Sequence, residues 1–119
     1  MKIAVSVTGK ETTSQVDPRF GRARYFLVVD TETGQVNAHD NTQNLNAAQG
    51  AGIQAGQTVC GLEVEAVISG NFGPKAFQVL NAAGIQAFRT DAETVEGAIR
   101  KFKAGELTKA SEANVAGHW

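Results

Sequence analysis

The stretch VEAVISGNFGPKAFQVLNAAGIQAF, Val64 to Phe88, decides the fold. Val64 to Ser69 is an apolar run of strand length, and Pro74 to Ala83 repeats apolar residues at helical spacing, with Ala76, Phe77, Leu80 and Ala83 on the inward side. Pro74 suits a first helical turn, where the N–H it lacks would have no partner, and Gly84 stands where a helix ends. Ile85 to Phe88 begins another strand. Strand, tight loop, helix, strand is the pattern of a right-handed parallel crossover in a covered sheet.

Upstream, Ile3, Val5 and Val7 alternate with Ala4, Ser6 and Thr8, the period of a first strand. Gly9 to Phe20 is polar and carries Asp17-Pro18, so the chain turns there before the extended run Tyr25 to Val29. Thr31 to Gly34 has the composition of a hairpin loop, and Gln35 to His39 follows as a polar edge strand. From Asn46 to about Leu62 the spacing is helical, with Ile53, Gly56 or Gln57, and Cys60 on one face. Downstream of the deciding stretch, Val95, Ala98, Ile99 and Phe102 mark a last helix ending at Gly105.

Three strands joined by hairpin-like turns, followed by crossover units, predict an α/β three-layer fold: a five-stranded mixed sheet of order 3-2-1-4-5 with helices on both faces, as in ribonuclease H-like folds. Residues 1–106 are expected to form one domain and residues 107–119, Leu107 to Trp119, a tail.

With 42% hydrophobic and 19% charged residues the chain is of ordinary globular composition. A net charge of -1 argues against nucleic acid as a partner, and no run of about 18 apolar residues exists to span a membrane. The start MKIAVSV lacks a signal-peptide core, and the single cysteine, Cys60, cannot form an internal disulfide, so a cytoplasmic location is expected.

Ligands of open α/β sheets gather at the carboxyl ends of parallel strands where the chain parts to opposite sides. Thr8 arrives there from the first strand, and Gly70, Asn71, Phe72 and Gly73 from the fourth. The two glycines suggest positive φ and close approach to a ligand, at the positive end of a helix that favours anions; a plain strand-to-helix turn is the competing explanation. The segment Asp17 to Arg24 gathers Arg19, Arg22 and Arg24 beside Phe20 and Gly21, and arginine forks favour oxyanions and anionic clusters; here the competing explanation is a solvated basic turn with Phe20 in the core. Gln49-Gly50-Ala51-Gly52 is not followed by the glycine a dinucleotide fingerprint requires, and its small residues suit close packing. Cys60 is expected to be a core thiol and His39 a solvated edge residue; His118 and Cys60 are the weak metal-ligand candidates. No catalytic constellation is found: Ser6, Thr8 and Ser69 occupy the positions where ribonuclease H-like nucleases carry metal-binding carboxylates, so no enzymatic activity is expected.

The segments MKIAVSV, DPRFGRARYFLVVD (Asp17 to Asp30), GAGIQAGQ (Gly50 to Gln57), ISGNFGPKAFQVLNAAGI (Ile68 to Ile85) and TVEGAIRKFKAGEL (Thr94 to Leu107) together resemble the dinitrogenase iron-molybdenum cofactor biosynthesis family, which includes NifX-like proteins and the C-terminal domain of NifB-like proteins. The resemblance implies a ribonuclease H-like fold and a non-enzymatic carrier of iron-molybdenum cofactor or its iron-sulfur precursor, with cofactor-assembly proteins as partners. The family's FGRA segment falls on Phe20, Gly21, Arg22 and Ala23, and its GNxGP loop on Gly70, Asn71, Phe72, Gly73 and Pro74. The expected cofactor-binding residues are thus Thr8, Arg19, Phe20, Gly21, Arg22, Gly70, Asn71, Phe72 and Gly73. A small-molecule binding or sensor module for a nucleotide or phosphorylated metabolite, using the same glycine loop, is the alternative.

Overall fold

A computed structural model describes residues 1–41, 51–91 and 93–110 of the chain. Six strands form one sheet in the order β3-β2-β1-β4-β5-β6. Strands β1 (Lys2–Val7), β4 (Ala66–Ser69) and β5 (Gln86–Arg89) run parallel, while β2 (Tyr25–Asp30) and β3 (Val36–Asp40) join as antiparallel neighbours on the β1 side. The expected 3-2-1-4-5 order is therefore present, with one strand added. That strand, β6 (Thr108–Lys109), lies antiparallel to β5 within the stretch expected to be a tail. Both its residues are polar and exposed, so no apolar period marked it.

Alternation on β1 sorts the core into two halves. Ala4 faces a layer built with Phe26, Val67, Ala55, Val59 and Leu80, covered by α1 (Ala51–Gly61) and α2 (Pro74–Ala82). Ile3, Val5 and Val7 face the other side with Leu27, Ile68, Val95 and Ala98, covered by α3 (Val95–Lys103). Because successive side chains of a strand point to opposite faces, one short strand supplies both cores.

Two helices differ in detail from expectation. In α1 the buried residues are Gly52, Ala55, Gly56 and Val59, while Ile53 and Cys60 are only half-buried at the margin. A Cβ on Gly56 would come within 2.9 Å of Val79 Cγ1, so the small residues serve close packing of α1 against α2. The expected start of this helix at Asn46, and Gln49 and Gly50, lie outside the described residues. In α2, Ala76 and Leu80 are buried and Phe77 packs at the edge, but Ala83 is exposed beyond the last turn. No helix among the described residues is long and apolar enough to cross a membrane.

Candidate functional site

Where β1 and β4 end side by side, two loops are joined through a buried polar knot. The hydroxyl oxygens of Ser6 and Ser69 lie 2.8 Å apart, and both side chains are fully buried. Ser6 Oγ donates to the Asp17 carbonyl at 2.8 Å, Ser69 Oγ reaches the same carbonyl at 3.2 Å, and the Asp17 amide donates to the Ser6 carbonyl at 2.8 Å. Buried polar groups without partners are costly, and here each hydroxyl is satisfied by the loop it anchors. The positions that hold carboxylates in ribonuclease H-like nucleases thus hold a structural hydroxyl pair.

The arginine segment is fixed at both ends. Its Asp17 carboxylate, 5% exposed, accepts from the Arg19 amide at 2.9 Å and from Arg19 Nε at 3.4 Å. At the far end, buried Asn41 donates its side-chain amide to the Ala23 carbonyl at 2.9 Å, and its main-chain amide donates to the Arg24 carbonyl at 2.9 Å. Between them Phe20–Arg22 forms a single tight helical turn. Arg19 is 52% exposed and Arg22 is half-buried. Arg24 lies against the Tyr25 ring, 5.8 Å from its centre, with Lys10 at 5.3 Å.

The glycine loop meets this segment directly. Arg19 pairs with Asn71 in a parallel bridge, the Phe20 amide donates to the Asn71 carbonyl at 3.4 Å, and Asn71 Nδ2 donates to the Pro18 carbonyl at 3.1 Å. A Cβ on Gly70 would sit 2.8 Å from Pro18 Cα and 2.9 Å from Pro18 Cβ. Gly70 is therefore required by the approach of Pro18. Positive φ, the other expected use of these glycines, is not the cause: among the described glycines it occurs at Gly34, Gly84 and Gly105, and Gly73 has φ -78°.

The expected site residues thus separate into two groups. Arg19, Gly70 and Asn71 come together near the surface, with half-buried Arg22 in the turn that follows Arg19, whereas the Phe20 and Phe72 rings are 1% and 0% exposed, 5.2 Å apart. Phe20 also stacks on Phe26 at 5.4 Å. These rings set the shape of both loops from below. Gly21 and Gly73 are buried with them. Thr8 is exposed and spends its hydroxyl on the Gln15 carbonyl at 3.3 Å, within the preceding loop. Cys60 lies on α1, and His118 lies outside the described residues. Among the described residues no group of three or more His, Cys, Asp and Glu is placed to hold a metal ion.

Residues that motif reading missed lie on the other flank of the glycine loop. A cleft of about 480 Å³ opens there, floored by Gly70 and Asn71 and walled by Arg89, Thr90, Lys101 and Thr108. Asp91 and Glu106 also line it. Arg89 Nε donates to the Gly70 carbonyl at 3.4 Å, and Lys101 Nζ lies 3.3 Å from a Glu93 oxygen. Thr90 Oγ1 donates to the other Glu93 oxygen, so Glu93 ties the β5 end to α3. These residues come from three elements, and the one signal in the sequence that could have found them is the 1-4-5 strand order, which sets the β5 end beside Gly70.

Comparison with known proteins adds a sequence and a structural finding. Residues 1–105 match the family model described as dinitrogenase iron-molybdenum cofactor. The apo form of the orange protein from Desulfovibrio gigas superposes with a TM-score of 0.93 at 38% identity, covering 96% of each chain. A candidate NifB protein from Thermotoga superposes with a TM-score of 0.84 at 36% identity over 98% of each chain. An uncharacterized protein of Methanocaldococcus jannaschii is 29% identical over 111 residues, 92% of this chain and 91% of its own length.

Proposed function

The chain belongs to the dinitrogenase iron-molybdenum cofactor family, and from that premise we propose that it is a non-enzymatic, NifX-like carrier that holds an anionic iron-molybdenum or iron-sulfur precursor cluster at the joined loops. The observation that carries this reading is the backbone pairing of Arg19 with Asn71, which joins the arginine-bearing segment to the loop that leads into α2.

The chemistry follows from the donors present. A metal-sulfur cluster with net negative charge is attracted by Arg19 and Arg22, whose guanidinium groups offer planar forks to sulfur or oxygen acceptors. The α2 N-terminus adds the positive end of its dipole, and Pro74 suits its first helical position. Holding by charge and shape suits a cargo that must be released again. The buried Phe20–Phe72 pair and the Ser6–Ser69 knot keep the cradle in place before the cargo arrives, so little ordering cost falls on binding.

An anaerobic titration of the protein with a synthetic iron-sulfur cluster, followed by the cluster's visible absorption, tests this reading. Saturable binding that weakens in Arg19→Gln supports it; no saturable binding by the wild-type protein overturns it.

A further inference from the structure

Resting on that carrier reading, we propose that the cargo site extends across the glycine loop into the β5–β6 cleft, with Arg89 as its second anchoring arginine, and that it selects an extended polyanion over a compact one. Arg19 pairs with Asn71 on one flank of the loop that continues β4, and Arg89 ends the strand on the other flank, in register with Ser69. With neighbouring strands about 4.8 Å apart, two such steps set the backbones of Arg19 and Arg89 on the order of 10 Å apart.

Each guanidinium is also held on its own side. Arg19 Nε lies 3.4 Å from Asp17 Oδ1, and Arg89 Nε lies 3.4 Å from the Gly70 carbonyl. The two guanidinium groups are thus engaged on opposite flanks of the loop, and an anion that bridges them has to cross it.

Charge balance within the cleft leads to the same conclusion. Its cations, Arg89 and Lys101, share the lining with the carboxylates of Asp91 and Glu106, and Lys101 is also paired with Glu93, so a compact anion seated wholly inside meets no net positive field and depends on Arg89 alone. An anion long enough to leave the cleft over Asn71 reaches Arg19, whose side chain is 52% exposed while the Asp17 carboxylate it touches is 5% exposed. Thr90 and Thr108 add hydroxyls to the cleft end of such a ligand. The ligand class is a polyanion with charge at both ends, whether a multinuclear cluster or a polyphosphate chain.

Calorimetric titration of the full chain with orthophosphate, pyrophosphate and tripolyphosphate at constant ionic strength tests the span without any metal. The expected result is affinity rising with chain length, tripolyphosphate exceeding orthophosphate by about tenfold or more, which corresponds to roughly 1.4 kcal/mol. Arg19→Gln and Arg89→Gln should each remove most of that preference. Lys103→Gln, the same charge change on an exposed part of α3 outside the cleft, should alter it by less than about twofold, the size of a screened surface effect. Equal affinity for all three anions, no binding of tripolyphosphate, or an Arg89→Gln effect no larger than that of Lys103→Gln would overturn the proposal. Cluster uptake by the same proteins separates it from the carrier reading. Tripolyphosphate binding without cluster uptake removes the carrier and leaves the span, whereas uptake by Arg89→Gln at the wild-type level removes the span and leaves the carrier.

Discussion

Ser6 Oγ and Ser69 Oγ lie 2.8 Å apart at the ends of two adjacent parallel strands, and both reach the carbonyl of Asp17. This pair fixes where the arginine segment leaves the sheet. Ser6→Ala or Ser69→Ala removes a buried hydroxyl and its hydrogen bonds while the other hydroxyl still serves the Asp17 carbonyl, so each should destabilise the protein by about 0.5–1.5 kcal/mol. Thermal denaturation of the single and double variants checks it. Because the two hydroxyls share one acceptor, which only the double variant leaves without a donor, the double variant should lose more than the sum of the singles.

Gly70 faces Pro18 with no room for a side chain. Gly70→Ala should cost about 1–3 kcal/mol through overpacking, and it should weaken anion binding because the loops must part. Gly61→Ala, where an added Cβ meets nothing within 4 Å, is the control and should be neutral or mildly stabilising. Denaturant titration of the two variants measures the contrast.

Phe72 is fully buried against Phe20, and its role is to shape the loop from beneath. Phe72→Ala should cost about 3–5 kcal/mol. Phe72→Leu should cost less and, at a temperature where it is folded, bind the cluster nearly as the wild type does. A loss of binding in folded Phe72→Leu with unchanged stability would show instead that the ring touches cargo.

The amides of Glu32 and Thr33 donate to Asp30 Oδ1 at 2.9 and 3.3 Å, and these bonds hold the Asp30 carboxyl below its ordinary value of 3.8. A folded value below the unfolded one means the contribution is fully present above the unfolded value and is lost as pH falls through the folded one. Asp30→Asn should therefore flatten the acid side of the stability curve below about pH 4. Denaturation midpoints across the acid range read this directly.

How much of this was legible in the sequence depended on whether the signal was local. The Val64 to Phe88 stretch carries its own period, its proline and its glycine stop, and β4, α2 and β5 form there within two residues of the expected bounds. Strand β6 has two polar residues and owes its existence to pairing with Arg89 and Phe88, which no local pattern records. The buried face of α1 was only partly found: Gly56 was placed on it, and its smallness is what admits Val79, but Gly52 offers no side chain to count and Ile53 and Cys60 lie at the margin. The Arg19–Asn71 contact was expected only as two motifs arriving at one sheet end, and its backbone pairing became visible in three dimensions. Arg89 and Lys101 went unnoticed because neither stands in a motif.

The carrier reading is tested most directly by incubating the protein anaerobically with a cluster donor, separating it by size exclusion and measuring metal in the protein peak. Iron should comigrate with the wild-type chain, and the amount should fall by about tenfold or more when Arg19 and Arg22 are both replaced by Gln, the loss expected for two charge-assisted contacts. A wild-type peak free of iron, or an Arg19→Gln/Arg22→Gln variant that carries as much iron as wild type, would contradict it.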